Sequence, residues 1–380
     1  MIDEILNRGI ENVYPNKEVV KARLEKEKLT FYLGVDPTGP TIHMGHIIPL
    51  LKLSKLQKLG HKIYFLIGDF TAMIGDPTDK SATRIKLTRE QVLANATLYK
   101  TQASKFISFE GENAAVLKYN SEWLGKMNFG EVLELASLMT VDQMLKRDMF
   151  EKRMQENKPI YIHEFMYPLM QGYDSVAMDV DGEIGGNDQT FNMLTGRDLS
   201  RSLKNKDKIV IATKLLVDPT GKKMGKTEGN MVSLDQTPED MFGKVMSWTD
   251  EMMPLAYELL TEESVPAIHP KEIKINLAKK IVTLCHDATA AEKAAQVFDQ
   301  TFAKGELPED MINVKTEVGK LLVDIVVENK IVESKSEFRR LVEGNGVEIV
   351  GKGKVTDAQL KISEPIDVKI GKRRFLKITL

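Results

Sequence analysis

The chain has 380 residues, more than one hydrophobic core usually organises, so two or three domains are expected. Hydrophobic residues at 42% and charged residues at 28% exclude a disordered or fibrous chain. Net charge is −2 but uneven: residues 315–380 hold 14 Lys+Arg against 10 Asp+Glu, and the remainder 39 against 45. A basic end on an acidic body points to a polyanionic partner, although a surplus of four is also what a plain solvated surface shows.

A single cysteine, Cys285, excludes an internal disulfide and a zinc site built on cysteine pairs. That usage suits a reducing compartment, so a cytoplasmic location is expected. Met1 to Tyr14 mixes Asp3, Glu4, Arg8 and Glu11 among apolar residues and lacks the apolar stretch of a signal peptide. No window approaches the roughly 18 uncharged apolar residues that span a membrane, so a soluble chain is expected.

In chain order, Thr30-Phe31-Tyr32-Leu33-Gly34-Val35 reads as a short apolar strand, broken by Asp36-Pro37-Thr38-Gly39-Pro40. Ile47, Leu50, Leu51, Leu53 and Leu56 then recur at helical spacing. Pro49 belongs in a first turn, which predicts a helix start close to Gly45 or His46 and an end at Gly60. Lys62 to Gly68 reads as a buried parallel strand, completing a strand–helix–strand unit of a doubly wound sheet. Further strands are predicted at Ala115 to Tyr119, Val176 to Val180 and Ile209 to Thr213, with helices around 89–107, 130–150 and 188–203. Residues 235–305 look helical, notably Glu272 to Ala278 and Ala290 to Phe302. Glu306-Leu307-Pro308-Glu309-Asp310 reads as a linker, and the final 65 or so residues as a small α+β unit ending in a strand, Phe375 to Leu380.

Two segments carry chemistry. His43-Met44-Gly45-His46 falls where the first strand turns into its helix, and ligands of open parallel sheets bind at the carboxyl ends of strands. A helix start offers unpaired N–H groups and a positive dipole end to phosphate. Imidazoles at i and i+3 share a face and can both donate to phosphate oxygens, while Gly45 lets a base or sugar approach the backbone. The alternatives are two incidental histidines, or a metal pair without its third ligand. The second segment, Lys222-Lys223-Met224-Gly225-Lys226-Thr227, ends like a P-loop, but Thr220 occupies the place of the first glycine and that reading fails. A glycine-flanked loop remains that can bring ammonium groups onto pyrophosphate, or that is simply a basic surface loop.

Taken together, the two segments resemble the paired signatures of class I aminoacyl-tRNA synthetases. Phe31 to Thr38, Tyr167-Pro168-Leu169-Met170-Gln171-Gly172-Tyr173-Asp174 and Ile184-Gly185-Gly186-Asn187-Asp188-Gln189 resemble the tyrosyl-tRNA synthetase family specifically. Ser336 to Val342 with Gly346-Val347 is similar to an S4 RNA-binding module. The resemblance covers nearly the whole chain. It implies an α/β fold: a Rossmann-type doubly wound catalytic domain over 1–220, a helical tRNA-contacting domain over 221–310, and a small S4-like domain over 315–380. It also implies activation of L-tyrosine with ATP and magnesium, loading of tRNA(Tyr), and a homodimer with its interface near 120–165.

By the same resemblance, Tyr32 and Asp174 contact the substrate phenol, and Tyr167, Gln171 and Asp76 hold its amine. Gln189 positions the carboxylate, Asp36 and Thr38 line the ATP side, and Asp188 accepts from the ribose. His43, Gly45, His46, Lys223, Met224, Lys226 and Thr227 are implied around the nucleotide phosphates, with Lys80 and Arg84 reaching toward pyrophosphate. Arg339, Arg340, Lys372, Arg373 and Arg374 are implied on RNA. No protein-held metal is implied. The chain departs from the family at Gly225 and Thr227, where serines are usual, and at Asp79, where a glycine often stands. Rival readings are a nucleotidyltransferase, a tryptophan-specific synthetase, and an RNA-binding protein with a degenerate synthetase body. The first leaves Tyr167, Gln171 and Asp174 unexplained. Against the second, Tyr32 and Asp174 suit one hydroxyl better than an indole, and against the third both signatures keep their charged residues.

Overall fold

A computed structural model describes residues 1–77, 87–221, 231–300, 311–371 and 374–380. Lys80, Arg84, Lys223, Met224, Lys226, Thr227, Lys372 and Arg373 lie outside the described residues, as do Asp79, Gly225 and the expected linker at 306–310. The chain divides into two compact units, Met1–Gln236 with Trp248–Leu277, and Thr237–Ser247 with Ala278–Leu380. Among the described residues no helix is long and apolar enough to cross a membrane.

The first unit is built on a six-stranded sheet of β1 (Ile10–Tyr14), β2 (Thr30–Val35), β3 (Lys62–Ile67), β4 (Val116–Tyr119), β5 (Gly182–Gly186) and β6 (Ile209–Thr213). Their spatial order is β1-β6-β5-β2-β3-β4. All neighbours are parallel except β1, which runs antiparallel to β6 at the edge. Strands β3 and β4 extend the sheet to one side of β2, while β5 and β6 extend it to the other. The order therefore reverses between β2 and β5, which opens a crevice at their carboxyl ends. Strands β2, β3 and β6 are largely buried on both faces, as their apolar runs require, while the edge strand β4 is half-buried.

Most expected elements are present, with three corrections. The run Val176 to Val180 is not a strand: Val176 and Ala177 close the helix Ile162–Ala177, and Asp179 turns the chain with φ of 50°. A short apolar run reads alike as a strand or as the last turn of a buried helix. The real strand, β5, hid behind three glycines of low strand propensity. Gly182 is needed there, because a Cβ would lie 2.2 Å from the Phe31 ring on β2.

The second correction concerns the helix after β2, which starts at Met44 and so places Pro49 in its second turn. Pro49 has no N–H for the carbonyl of Gly45, but Gly45 is exposed and its carbonyl can be hydrated. Third, the expected helices at 89–107 and 130–150 are broken into shorter ones: Arg89–Ala96 and Tyr99–Ala103, then Phe129–Ser137, Val141–Leu145 and Asp148–Gln155. In the second group Thr140 acts as a fresh N-cap, its hydroxyl accepting from Gln143 N–H, and so restarts the helix.

In the second unit, β7 (Ile312–Lys315), β8 (Val347–Ile349), β9 (Gly353–Lys354), β10 (Ile366–Ile370) and β11 (Arg374–Thr379) form a sheet of order β7-β11-β10-β8-β9. Alternation in Ile366-Asp367-Val368-Lys369-Ile370 buries every second residue. Leu322, Val326, Phe338, Val347, Leu376 and Ile378 join the sheet to helices Leu322–Glu328 and Lys335–Glu343 in one core.

The helices Ile162–Ala177 and Thr190–Lys204 approach closely where Gly172 meets Gly196. A Cβ at Gly172 would lie 2.9 Å from Leu199 Cδ1 and 3.0 Å from the Gly196 nitrogen. Gly172→Val should therefore force the helices apart and lose about 1–3 kcal/mol of stability. A lower urea midpoint at unchanged slope is the expected record; an unaltered midpoint would show that the contact does not constrain the pair.

Candidate active site

One cavity of about 270 Å³ opens at the crevice between β2 and β5. The first signature forms one wall. His43 caps the helix Met44–Lys58, its Nδ1 accepting from Gly45 N–H at 3.2 Å, while His46 Nδ1 accepts from His43 N–H at 3.4 Å. With both Nδ1 atoms accepting, the neutral rings carry their proton on Nε2 and serve as donors there. The rings lie 3.9 Å apart, side by side at a helix start whose partial charge is positive. The chain leading out of the second signature returns to the same place, where Met44 N–H donates to the Val232 carbonyl and His43 pairs with Ser233.

The helix Ile162–Ala177 forms the opposite wall. Tyr167, Gln171 and Asp174 follow at spacings of four and three and so share one face. Tyr167 Oη donates to Asp36 Oδ2 at 2.9 Å, and Thr71 Oγ1 donates to Asp36 Oδ1 at 2.7 Å. Asp174 accepts from Trp123 Nε1 at 2.8 Å and from Asn120 Nδ2 at 3.3 Å. Gln171 Nε2 donates to Glu183 Oε1 at 3.1 Å, and Glu183 Oε2 takes the ammonium of Lys208 at 2.5 Å. Asp76 accepts from Gln189 Nε2 at 2.7 Å and from Arg147 at 3.2 Å.

Burial dominates the electrostatics. It pushes the Asp174 carboxyl well above the usual carboxylate range, against the pull of the Trp123 and Asn120 bonds. Burial likewise raises Tyr32, reinforced by Glu183 and Asp174, and raises Tyr167, reinforced by Asp36 and Asp76, so both phenols stay protonated. Lys208 is lowered by burial, with Glu183 opposing. The cavity is lined both by carboxylates, Asp36, Asp76, Asp174, Asp188 and Glu183, and by the donors of a helix start at His43 and His46.

The structure brings together Tyr32, Asp36, Thr38, His43, Gly45, His46, Asp76, Tyr167, Gln171, Asp174, Asp188 and Gln189, all of which line this cavity. Elsewhere, Arg339 and Arg340 are exposed. Arg374 is engaged internally, donating to Glu337 Oε1 at 3.1 Å and to the Ile331 carbonyl. Sequence reasoning missed Thr71, Asn120, Trp123, Arg147, Ser175, Glu183 and Lys208. Each is a supporting partner whose type carries no signal until the fold brings it near; Lys208 sits in Lys204-Asn205-Lys206-Asp207-Lys208, which reads as surface charge.

Comparison with known proteins agrees with this geometry. The family model of class I tRNA synthetases (W and Y) matches residues 24–303. The tyrosine–tRNA ligase 2 of Vibrio cholerae is 42% identical over 99% of this chain and 97% of its own length. The tyrosine–tRNA ligase of Moorella thermoacetica is 42% identical over 98% and 94%. Among solved structures, a C-terminally truncated mitochondrial tyrosyl-tRNA synthetase of Coccidioides posadasii superposes with a TM-score of 0.62 at 27% identity, over 78% of this chain and 90% of that one. The tyrosyl-tRNA synthetase of Archaeoglobus fulgidus, solved with L-tyrosine, shares the fold with a TM-score of 0.60 at 22% identity, over 77% and 98%. A helix start bearing two histidine donors, an acid-lined crevice at the switch point of a parallel sheet, and these matches together assign the chain to the class I tRNA synthetases of the W and Y family.

Proposed function

We propose that the chain activates L-tyrosine with ATP, releasing pyrophosphate, and transfers the tyrosyl group to the 3′ end of tRNA(Tyr). The observation that carries this reading is the single cavity in which the Tyr167, Gln171 and Asp174 face meets the His43 and His46 helix start. An amino acid fits among the acids: its ammonium would be held by Tyr167 and Gln171 with Asp76 beside them, and its phenol would reach Tyr32 and Asp174. ATP fits at the helix start, with phosphates at the histidines, ribose at Asp188 and the Asp36–Thr38 turn alongside.

The chemistry explains why no strong base is needed. Tyrosine's carboxylate is already ionised, so attack on the α-phosphate removes no proton. The protein aligns the reactants, Gln189 holding the carboxylate, and meets the charge that develops on phosphoryl oxygens. His43 and His46 donate from Nε2, and the reading adds Lys223, Lys226, Thr227, Lys80 and Arg84 from outside the described residues. Magnesium, carried on the nucleotide phosphates, shares that charge.

The domain scheme of a catalytic body to about 220, a helical segment to 310 and an RNA-contacting module from 315 is part of this proposal. So is a homodimer, supported by Phe129, Leu133, Val141 and Ile162, which expose 76%, 55%, 63% and 82% of their surface in one stretch of sequence. A cytoplasmic location is also part of it, in keeping with a single thiol, Cys285, that is buried and unbridged.

Tyrosine alone should support exchange of labelled pyrophosphate into ATP when the standard amino acids are tried in turn. Equal or greater exchange with tryptophan, or none with any amino acid, sinks the reading.

Asp174→Asn should lower the kcat/KM ratio of tyrosine over phenylalanine more than Tyr32→Phe does, since a charged acceptor makes the stronger bond. A hydrogen bond to a charged group is worth about 1.5–3 kcal/mol, which corresponds to roughly a ten- to hundredfold fall. Acidification should narrow the ratio in the same way. Asp174 takes up its proton above the ordinary carboxylate range, and once protonated it no longer offers a charged acceptor. A parental ratio in Asp174→Asn would remove Asp174 from the phenol.

Reversing charge with Arg339→Glu and Arg340→Glu together should leave pyrophosphate exchange intact and raise the KM for tRNA roughly tenfold at low salt. An unchanged KM would separate residues 315–380 from tRNA contact.

A further inference from the structure

Below the phenol end of the cavity lies a lysine that the chemistry above does not use. Lys208, immediately before β6, has no exposed surface, and its Nζ sits 5.8 Å from the Tyr32 ring centre. It donates to Glu183 Oε2 at 2.5 Å and to Ser175 Oγ at 2.8 Å. Ser175 Oγ in turn lies 2.9 Å from Tyr32 Oη. The absence of a side chain at Gly196 makes room for this chain of contacts, since a Cβ there would lie 2.5 Å from Lys208 Nζ and 2.9 Å from Ser175 Oγ.

We propose that Lys208, acting through Ser175, fixes Tyr32 as a hydrogen-bond donor into the cavity, so that Tyr32 and Asp174 together select an aromatic side chain ending in a hydroxyl. The inference rests on the tyrosine reading above and makes Lys208 and Ser175 positioning residues within it. Its logic is the direction of protons. An ammonium can only donate, so Ser175 Oγ accepts from Lys208. The single hydroxyl proton of Ser175 then needs an acceptor, and among the described residues its other side-chain partner is Tyr32 Oη. Tyr32 thus accepts from Ser175 and keeps its own proton for another group. Glu183 is a second acceptor for Tyr32, raising its phenol by charge and by a side-chain hydrogen bond, but its oxygens already receive Lys208 on Oε2 and Gln171 on Oε1, which weakens it in that role. Tyr32 therefore does not spend its proton on Ser175, and a substrate hydroxyl in the cavity that Tyr32 lines competes for it with Glu183.

Asp174 imposes the opposite requirement, because an ionised carboxylate only accepts. A phenolic hydroxyl satisfies both, accepting from Tyr32 while donating to Asp174. A ring ending in C–H satisfies neither and leaves two buried polar groups unpaired. An ion pair that only neutralised Glu183 would need no bond to Ser175 and would not sense the substrate's hydroxyl.

The decisive variant is Ser175→Ala, which breaks the relay and keeps the Lys208–Glu183 pair. It is examined beside Lys208→Met/Glu183→Gln, which removes both charges together so that neither is stranded. The readout is kcat and KM for tyrosine and phenylalanine in pyrophosphate exchange, after a melting curve shows each variant folded. Ser175→Ala should lower the tyrosine-over-phenylalanine ratio about tenfold, through KM for tyrosine, with phenylalanine unchanged. The charge-free pair should do the same. In a Tyr32→Phe background, Ser175→Ala should have no further effect, since the relay ends at Tyr32. A folded Ser175→Ala with the parental ratio overturns the relay, and so does an equal loss in the Tyr32→Phe background. A parent enzyme without tyrosine-dependent exchange overturns the functional reading and this inference with it, whereas an active parent with unmoved variants overturns the relay alone.

Discussion

Four of the carboxylates that line one cavity are Asp36, Asp76, Asp174 and Glu183, and like charges in a desolvated space repel. Each must carry its own donors in the folded protein or the cavity would lose its charge or its shape. The structure meets this separately for each one. Asp36 has Thr71 and Tyr167, Asp76 has Arg147 and Gln189, Asp174 has Trp123 and Asn120, and Glu183 has Lys208 and Gln171. Asn120 also donates to Thr71, so two of the four sets are joined. An acidic lining held in this way is ready for an ammonium and a phenol before either arrives, and preorganisation of that kind spares reorganisation when the substrate binds.

The fold supplies the donors from far apart in the chain. Helix Ile162–Ala177 presents Tyr167, Gln171 and Asp174 on one face, and the close meeting of Gly172 with Gly196 sets how near that face stands to the helix Thr190–Lys204. Asn120 and Trp123 follow β4, Thr71 follows β3, and Lys208 precedes β6. The reversal of strand order between β2 and β5 is what allows elements on both sides of the sheet to face the same crevice.

The residues of the first signature and of the Tyr167 block, which line the cavity, were legible because they stand in short runs whose spacing has a meaning. His43 to His46 follow a strand and begin a helix, and Tyr167, Gln171 and Asp174 come in one block. Their partners were not legible, for a physical reason. Trp123, Arg147 and Lys208 act at distances of 51, 71 and 25 residues from the carboxylates they hold, and each reads locally as an ordinary helix or surface residue. The same limit governs the fold. Strands with continuous apolar runs, such as β2, β3 and β6, were visible, whereas β5 was masked by glycines that its close approach to Phe31 demands. Arg374 is a related case: the basic run gives no sign that this residue is tied to Glu337 and the Ile331 carbonyl.

The mixed lining of the cavity also accounts for the division of labour between histidines and acids. In the proposed reaction, donors at the helix start Met44–Lys58 serve charge that grows during reaction, so their value would lie in the transition state. In the same proposal the acids serve charge and polarity that the amino acid already has, so their value would lie in choosing it. The two sets meet at Asp36, which is held by the Tyr167 face on one oxygen and by Thr71 on the other while it lines the same cavity as His43. Movement of Asp36 would disturb both sets together. The backbone pairing of His43 with Ser233 brings the chain that follows the second signature segment to the first signature. The proposed reading thereby builds selection of the amino acid into buried side chains, and response to the nucleotide into the segments that converge on His43.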